Sequence, residues 1–360
     1  MAEHQNTKGA DGASATEGEG ASVRMIDVHH HHGTPRFAKF MATQPSDRAF
    51  PPNTWEVNEA LEDMDAAGVE TAILSQFPPY HLGTAEERRS LARELNEAAA
   101  RHAVDHPGRF GMFTSLPLPS IDDCLAEIEY GYDVLGADGV AISTSIDGKW
   151  LGHPFFEPLW EELNRRKAVV YTHPYTPACC CAMVPEIPEY IIEYGTDTSR
   201  TIGSLIWSGT TVKYPDIRFI MSHGGGTMPF LIERFLAGTA AEVVPGIVTK
   251  GKSPPFVPPQ PPGGVLSELR RLYYDTAQCA NPIALRALRD VVRSSQILYG
   301  SDYFYRTNVE TARGLNTSRV FSPVELDGVK RHNSMSLFGR HPGSCVRCAG
   351  APSEATFGSD

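Results

Sequence analysis

The chain holds no apolar run long enough to cross a membrane, and residues 1–22 lack the apolar core of a secretory signal. A soluble protein of the cytoplasm is therefore expected. Positive charge is in short supply: 32 Lys and Arg face 43 Asp and Glu, a formal charge of −11. That balance argues against nucleic acid and anionic membrane surfaces as partners, and an anionic substrate would need local positive charge from a metal or an arginine. A nucleotide fingerprint is missing too. Gly224-Gly225-Gly226 follows a strand-like run but lacks the GxGxxG spacing and a downstream acid. Cysteine is sparse and odd in number, seven in all, with Cys345 and Cys348 forming a single CxxC. A zinc knuckle would need a second pair, and His341 is the one nearby candidate, so the cysteines read as free thiols of a reducing compartment.

What is present suits a large α/β enzyme. The 360 residues are 41% apolar, enough for the core of one long barrel domain. Strand-like runs recur at 25–28, 70–75, 109–115, 139–143, 168–172, 217–222, 272–275 and 296–299. Helical patterns lie between them, among them 58–67, 85–104, 121–134, 158–166 and 199–212, rich in Ala, Leu, Glu and Arg. Strand followed by helix, eight times over, predicts a parallel sheet closed on itself, a (β/α)8 TIM barrel. Residues 1–22, rich in Gly, Ala, Glu and Ser, are expected to form a flexible tail, the barrel to occupy 23–341, and 342–360 to form a second tail. Within the barrel, 244–264 carries seven prolines and should be an extended loop.

Four histidines and an aspartate stand at strand ends in this scheme: His29 and His31 after the first strand, His173 after the fifth, His223 after the sixth and Asp302 after the eighth. A lone histidine such as His173 or His223 is more often a core residue, an aspartate in the place of Asp302 is more often a helix cap, and a histidine run can be a tag remnant. The run at 29–32 follows an apolar strand start rather than lying at a terminus. It is the joint placement that matters, because active residues of such barrels project from the C-terminal strand ends. Residues i and i+2 of a strand share a face, so His29 and His31 can grip one ion together, and imidazole with carboxylate suits zinc and other first-row cations. Cys179-Cys180-Cys181 follow His173 toward the mouth, where small residues packing in a loop is the plainer reading.

The order HxH, two later histidines and a final aspartate resembles the amidohydrolase superfamily. Gly136-Ala137-Asp138-Gly139-Val140, Leu151-Gly152-His153-Pro154, Ser222-His223-Gly224-Gly225-Gly226 and Tyr299-Gly300-Ser301-Asp302-Tyr303 resemble its decarboxylase branch, that of aminocarboxymuconate-semialdehyde and 6-methylsalicylate decarboxylases. The resemblance implies that His29, His31, His173 and Asp302 bind the metal, that His223 is catalytic, as is Asp302, and that Arg234 reaches into a neighbouring subunit's site to hold a carboxylate, making the enzyme a homodimer. Dinuclear members add a lysine or glutamate after strand four. Here Ser143-Thr144-Ser145 stand there, so one divalent ion is expected, zinc first, with manganese or iron as alternatives. The second carboxylate-binding arginine of the muconate enzyme has no counterpart at Ala60-Leu61-Glu62-Asp63, which points to a monoacid.

These expectations converge on nonoxidative decarboxylation of a small hydroxyaromatic or unsaturated carboxylic acid of the 6-methylsalicylate class. The same ligands permit hydrolysis of an ester, lactone or amide by metal-activated water. Two further alternatives are an inactive scaffold subunit, which the intact site residues disfavour, and redox chemistry at iron or manganese.

Overall fold

The computed structural model describes residues 24–43, 54–78, 80, 83–236 and 261–348. The expected tail at 1–22 and most of the proline-rich loop at 244–264 lie outside them. Eight strands form one parallel sheet in sequential order: β1 (Met25–His31), β2 (Val69–Ser75), β3 (Phe110–Ser115), β4 (Gly139–Ser143), β5 (Val169–His173), β6 (Arg218–Met221), β7 (Tyr273–Asp275) and β8 (Ile297–Leu298). All seven successive pairs are parallel. The sheet closes on itself just beyond β8. The Val28 N–H donates to Tyr299 O, the Asp302 N–H to His29 O and the His31 N–H to Tyr303 O. The TIM barrel expected from the strand rhythm is therefore the fold, and its seam runs through the segment that carries Asp302.

Alternation along the strands divides the apolar residues between two cores. Ile26, Val28, Ile73, Phe113, Ala141, Val169, Tyr171, Ile220 and Leu298 fill the barrel interior, while a larger cluster packs the outer faces of the strands against the helices. The helices begin where their sequences cap them. Thr84 and Glu87 form a reciprocal capping box ahead of Ala85–Asp105, as Thr307 and Glu310 do ahead of Asn308–Thr317.

Two helices depart from the periodic pattern. The run at 121–134 is α-helical only over Ile121–Glu129 and continues as a wider π turn, Tyr130–Leu135. The run at 199–212 starts earlier, as Glu193–Trp207, and breaks before Thr210–Lys213 at Gly209, whose φ of +80° no helix accommodates. At the N-terminal end of the barrel the contacts run past Pro342. The Gly343 N–H donates to both carboxylate oxygens of Asp138 at 3.0 Å, and the Arg347 N–H donates to Leu135 O.

Candidate metal centre

Each site residue is delivered by a strand end. On β5, Val169 and Tyr171 point into the barrel, so His173 continues the same face at the mouth. On β7, Tyr273 and Asp275 share a face in the same way. On β1 the alternation is broken. Asp27 pairs with Ala72 but His30 pairs with Leu74, so β1 holds one residue more than β2 over this stretch. Strict alternation from Ile26 and Val28 would turn His30 inward. The bulge reverses the parity, so His29 and His31 face the axis while His30 turns away to Asp27 (Nδ1 to Oδ2, 3.0 Å) and stacks on Tyr303.

The side chains meet at one point. Ligand atoms of His29, His173, His223 and Asp302 all lie within 4.8 Å of one another. His31 faces the same point: its Nε2 is 3.2 Å from His29 Nε2 and 3.1 Å from Asp302 Oδ1. All five residues singled out at the strand ends are thus gathered, and buried or nearly so. Arg234 is not among them. It lies on the short helix Ile232–Phe235, exposed, and forms no hydrogen bond or ion pair among the described residues.

The electrostatics call for a cation. His29 Nε2 is 3.1 Å from Asp302 Oδ1 and its Nδ1 is 2.8 Å from Asp275 Oδ2. Burial works against charge on His29, but the carboxylates of Asp275 and Asp302 outweigh it and push the imidazole up to about 10. Burial also opposes ionisation of Asp302, yet His29, with hydrogen bonds from His223, His29 and His31, holds that carboxyl well below its usual range. Burial and the neighbouring imidazoles of His31, His29 and His223 hold His173 far below the ordinary histidine range, as a neutral donor. A divalent cation fits this set. Three imidazoles and a carboxylate suit first-row metals, and an ion on Nε2 of His29 would supply the positive charge while Nδ1–H still donates to Asp275.

Fixed tautomers divide the histidines. The Nδ1 of His29 is tied to Asp275 and that of His173 lies 2.9 Å from Pro174 O, which leaves both Nε2 atoms aimed inward. The Nδ1 atoms of His31 and His223, by contrast, are buried with no partner among the described residues. His223, Gln278 and Asp302 all adopt left-handed backbone, with φ of +55°, +54° and +68°. Non-glycine residues there cost about 1–3 kcal/mol each, a strain that concentrates at functional sites.

Two groups of residues escaped the sequence reading. Asp275 Oδ1 accepts the His223 N–H at 2.8 Å while Oδ2 orients His29, so one carboxylate positions two site histidines, and Gln278 donates to Asp302 Oδ2 at 2.9 Å. An acid ending the seventh strand was the available signal for Asp275. The second group is an aromatic wall: Phe77 stacks on His173 at 5.1 Å, Tyr305 meets His31 edge-on at 5.4 Å, and Tyr194 and Tyr175 approach His173 at 6.1 and 6.3 Å. These come from four separate segments, and no single motif announces them.

Comparison with known proteins gives consistent results. The amidohydrolase family model matches residues 26–340. Decarboxylase yanB of Aspergillus niger is 37% identical over 301 residues, covering 78% of this chain and 77% of that protein. The 6-methylsalicylic acid decarboxylase of Penicillium expansum is 34% identical over 295 residues, covering 78% and 85%. Among solved structures, the dihydroxybenzoic acid decarboxylase of Polaromonas sp. JS666, with bound manganese and the inhibitor 2-nitroresorcinol, superposes with a TM-score of 0.71 at 20% identity over 88% of this chain and 97% of that one. No helix among the described residues is long and apolar enough to cross a membrane.

Proposed function

The chain belongs to the amidohydrolase family, and from that premise we propose that it is a metal-dependent, nonoxidative decarboxylase of a small hydroxyaromatic carboxylic acid of the 6-methylsalicylate class. The observation that carries this reading is the gathering of His29, His173, His223 and Asp302 at the barrel mouth of a chain whose relatives at 34–37% identity, over more than three quarters of its length, are decarboxylases.

His29, His31, His173 and Asp302 would hold one divalent cation, zinc or manganese; manganese in the Polaromonas enzyme supports the second. When bound, the cation supplies a positive charge that receives the substrate carboxylate and its ortho oxygen. Phe77, Tyr175, Tyr194 and Tyr305 provide flat walls for an aromatic ring and exclude water around it. His223, 3.4 Å from Asp302 Oδ2, holds and moves the proton, with Asp302 as its electrostatic partner. Protonation of the ring carbon that bears the carboxylate breaks aromaticity. The electron pair of the carbon–carbon bond then returns to the ring and carbon dioxide leaves. One proton is taken up for each carbon dioxide released.

Arg234 forms no hydrogen bond or ion pair among the described residues, and exposed apolar residues stand near it in sequence, Phe230 at 66% and Leu231 at 37% exposure. An exposed arginine beside apolar residues suits a subunit contact, which supports a homodimer in which Arg234 serves the second site. All seven cysteines are free, in keeping with the cytoplasm. The test is incubation of metal-replete protein with a panel of hydroxybenzoic acids and their esters, following carbon dioxide and ultraviolet spectra. Carbon dioxide release from an ortho-hydroxy acid is expected; ester cleavage without it would overturn the reading in favour of a hydrolase.

A further inference from the structure

The loop that leaves β5 carries a feature unconnected with metal binding. Beyond His173, residues 174–177 run into a tight turn, Ala178–Cys180, where the sulfurs of Cys179 and Cys180 lie 3.2 Å apart with one thiol donating to the other. Cys179 is exposed and Cys180 is buried. Burial and the hydrogen bond with Cys179 push the Cys180 thiol up, so Cys180 keeps its proton, while the Cys179 sulfur is the accessible one of the pair. Cys181 is directed elsewhere, toward Pro177 O at 3.5 Å. An exposed sulfur with a second thiol already in contact is the arrangement of a reactive cysteine beside its resolving partner.

We propose that Cys179 and Cys180 form an oxidant-sensitive modification site that closes to a disulfide on reaction with a hydroperoxide and slows turnover at the adjacent metal centre. With hydrogen peroxide, Cys179 as thiolate attacks one oxygen; the oxygen–oxygen bond breaks, the other oxygen leaves as hydroxide and takes up the proton that the thiol released to become water, and Cys179 becomes a sulfenic acid. The Cys180 sulfur then attacks that of Cys179, the sulfur–oxygen bond breaks and a second water leaves. Each sulfur gives up one electron, the peroxide is reduced by two, and both thiol protons end in water.

The consequence for the site follows from what the loop holds. His173 Nδ1 bonds Pro174 O, the next residue, and the Tyr175 hydroxyl donates to Phe77 O at 3.0 Å, while the rings of both Phe77 and Tyr175 lie against His173. Tightening the turn at 179–180 therefore pulls on the short segment that orients one histidine and two aromatic walls.

The tryptic peptide 168–200 carries Cys179, Cys180 and Cys181 and no other cysteine, so the chemistry can be read on the full-length protein by mass. After graded hydrogen peroxide and alkylation, this peptide should lose two hydrogens and drop from three alkylated cysteines to one, with dithiothreitol restoring all three. Cys180→Ser should instead accumulate a sulfenic acid on Cys179, trapped by dimedone, while Cys181→Ser should still close the disulfide. Turnover should fall and recover with the oxidised fraction in the wild type and in Cys181→Ser, and stay constant in Cys179→Ser. A peptide that keeps three alkylated cysteines at doses that oxidise Cys345 or Cys348, or a disulfide that closes with turnover unchanged, would overturn the proposal. The mass readout is independent of which substrate the enzyme takes.

Discussion

The two ends of the barrel each bury an aspartate, and they treat it in opposite ways. At the N-terminal end, Asp138 meets only donors: the Met112 and Gly343 N–H groups at 3.0 Å and the Arg340 guanidinium at 2.8 Å. At the mouth, Asp302 shares its oxygens with three imidazoles whose nitrogens also point at one another, on a backbone held in the left-handed region. The first arrangement is complete as it stands. The second is complete only with a cation, so one end of the fold is built for stability and the other spends some of it on chemistry. Burial lifts the Asp138 carboxyl above its ordinary range despite Arg340 and the two N–H groups, whereas the histidines overcome burial and hold Asp302 below it.

The largest effect that separates the ends should come from Asp302→Asn. Removing the charge that the histidines and the cation share should lower kcat by about 10²–10⁴-fold and empty the site of metal, with little change in thermal unfolding of the metal-free protein. His29→Ala should likewise lose the metal by elemental analysis, whereas His223→Ala should keep it and lose turnover. Equal metal loss in all three would make His223 a ligand rather than the proton carrier. Chelation should reproduce the loss, and re-addition of zinc or manganese should reverse it.

Next in size is Arg234. If it fixes a carboxylate across a subunit contact, Arg234→Ala should cost on the order of 2–3 kcal/mol of substrate binding, about a hundredfold in KM, and Arg234→Lys should be impaired as well. Mixing Arg234→Ala with His223→Ala protein should then restore partial activity, because a mixed dimer regains one complete site. Failure of the mixture despite proven subunit exchange would return Arg234 to a solvent role.

The opposite end predicts the opposite phenotype. Asp138→Ala should leave kcat unchanged but destabilise the fold by about 2–4 kcal/mol, the lower part of that range because Arg340 is partly exposed. The pH dependence has a definite sign. A carboxyl raised in the folded state binds a proton that the unfolded chain has already released, so wild-type stability declines as pH rises through the window just above the ordinary aspartate range. The stability gap to Asp138→Asn should therefore narrow with rising pH across that window. A widening gap in urea titrations would contradict the burial argument.

The smallest and most local test is Gly300→Ala. A Cβ there would stand 2.9 Å from His29 Cβ and 2.8 Å from Asp275 Cβ, prying apart the pair that orients the histidine. A drop of about tenfold or more in kcat/KM is expected, since small misplacements of site groups are costly, with metal affinity weakened in parallel. Unchanged kinetics would mean that the Asp275 contact does not govern His29.

Much of this protein was legible in one dimension. Eight apolar runs alternating with helical patterns specify a parallel barrel, because a sheet buried on both faces and joined by helices has few other ways to close. Chemistry at strand ends was legible too, since His173 and Asp302 stand where barrel strands deliver side chains to the mouth. Helix ends were less so: the break at Gly209 and the π turn at Tyr130–Leu135 interrupt patterns whose periodicity runs on. Other features exist only in three dimensions. The parity of the β1 histidines depends on a bulge against β2, and strict alternation would have brought His30 to the axis in place of His29 and His31. The aromatic wall, the shared carboxylate of Asp275 and the sulfur contact of Cys179 with Cys180 likewise depend on which segments fold beside one another. Sequence determines which groups a strand can carry and with what period. The register of its neighbours and the path of its loops decide which of those groups share a point in space, because those are set by packing between segments distant along the chain.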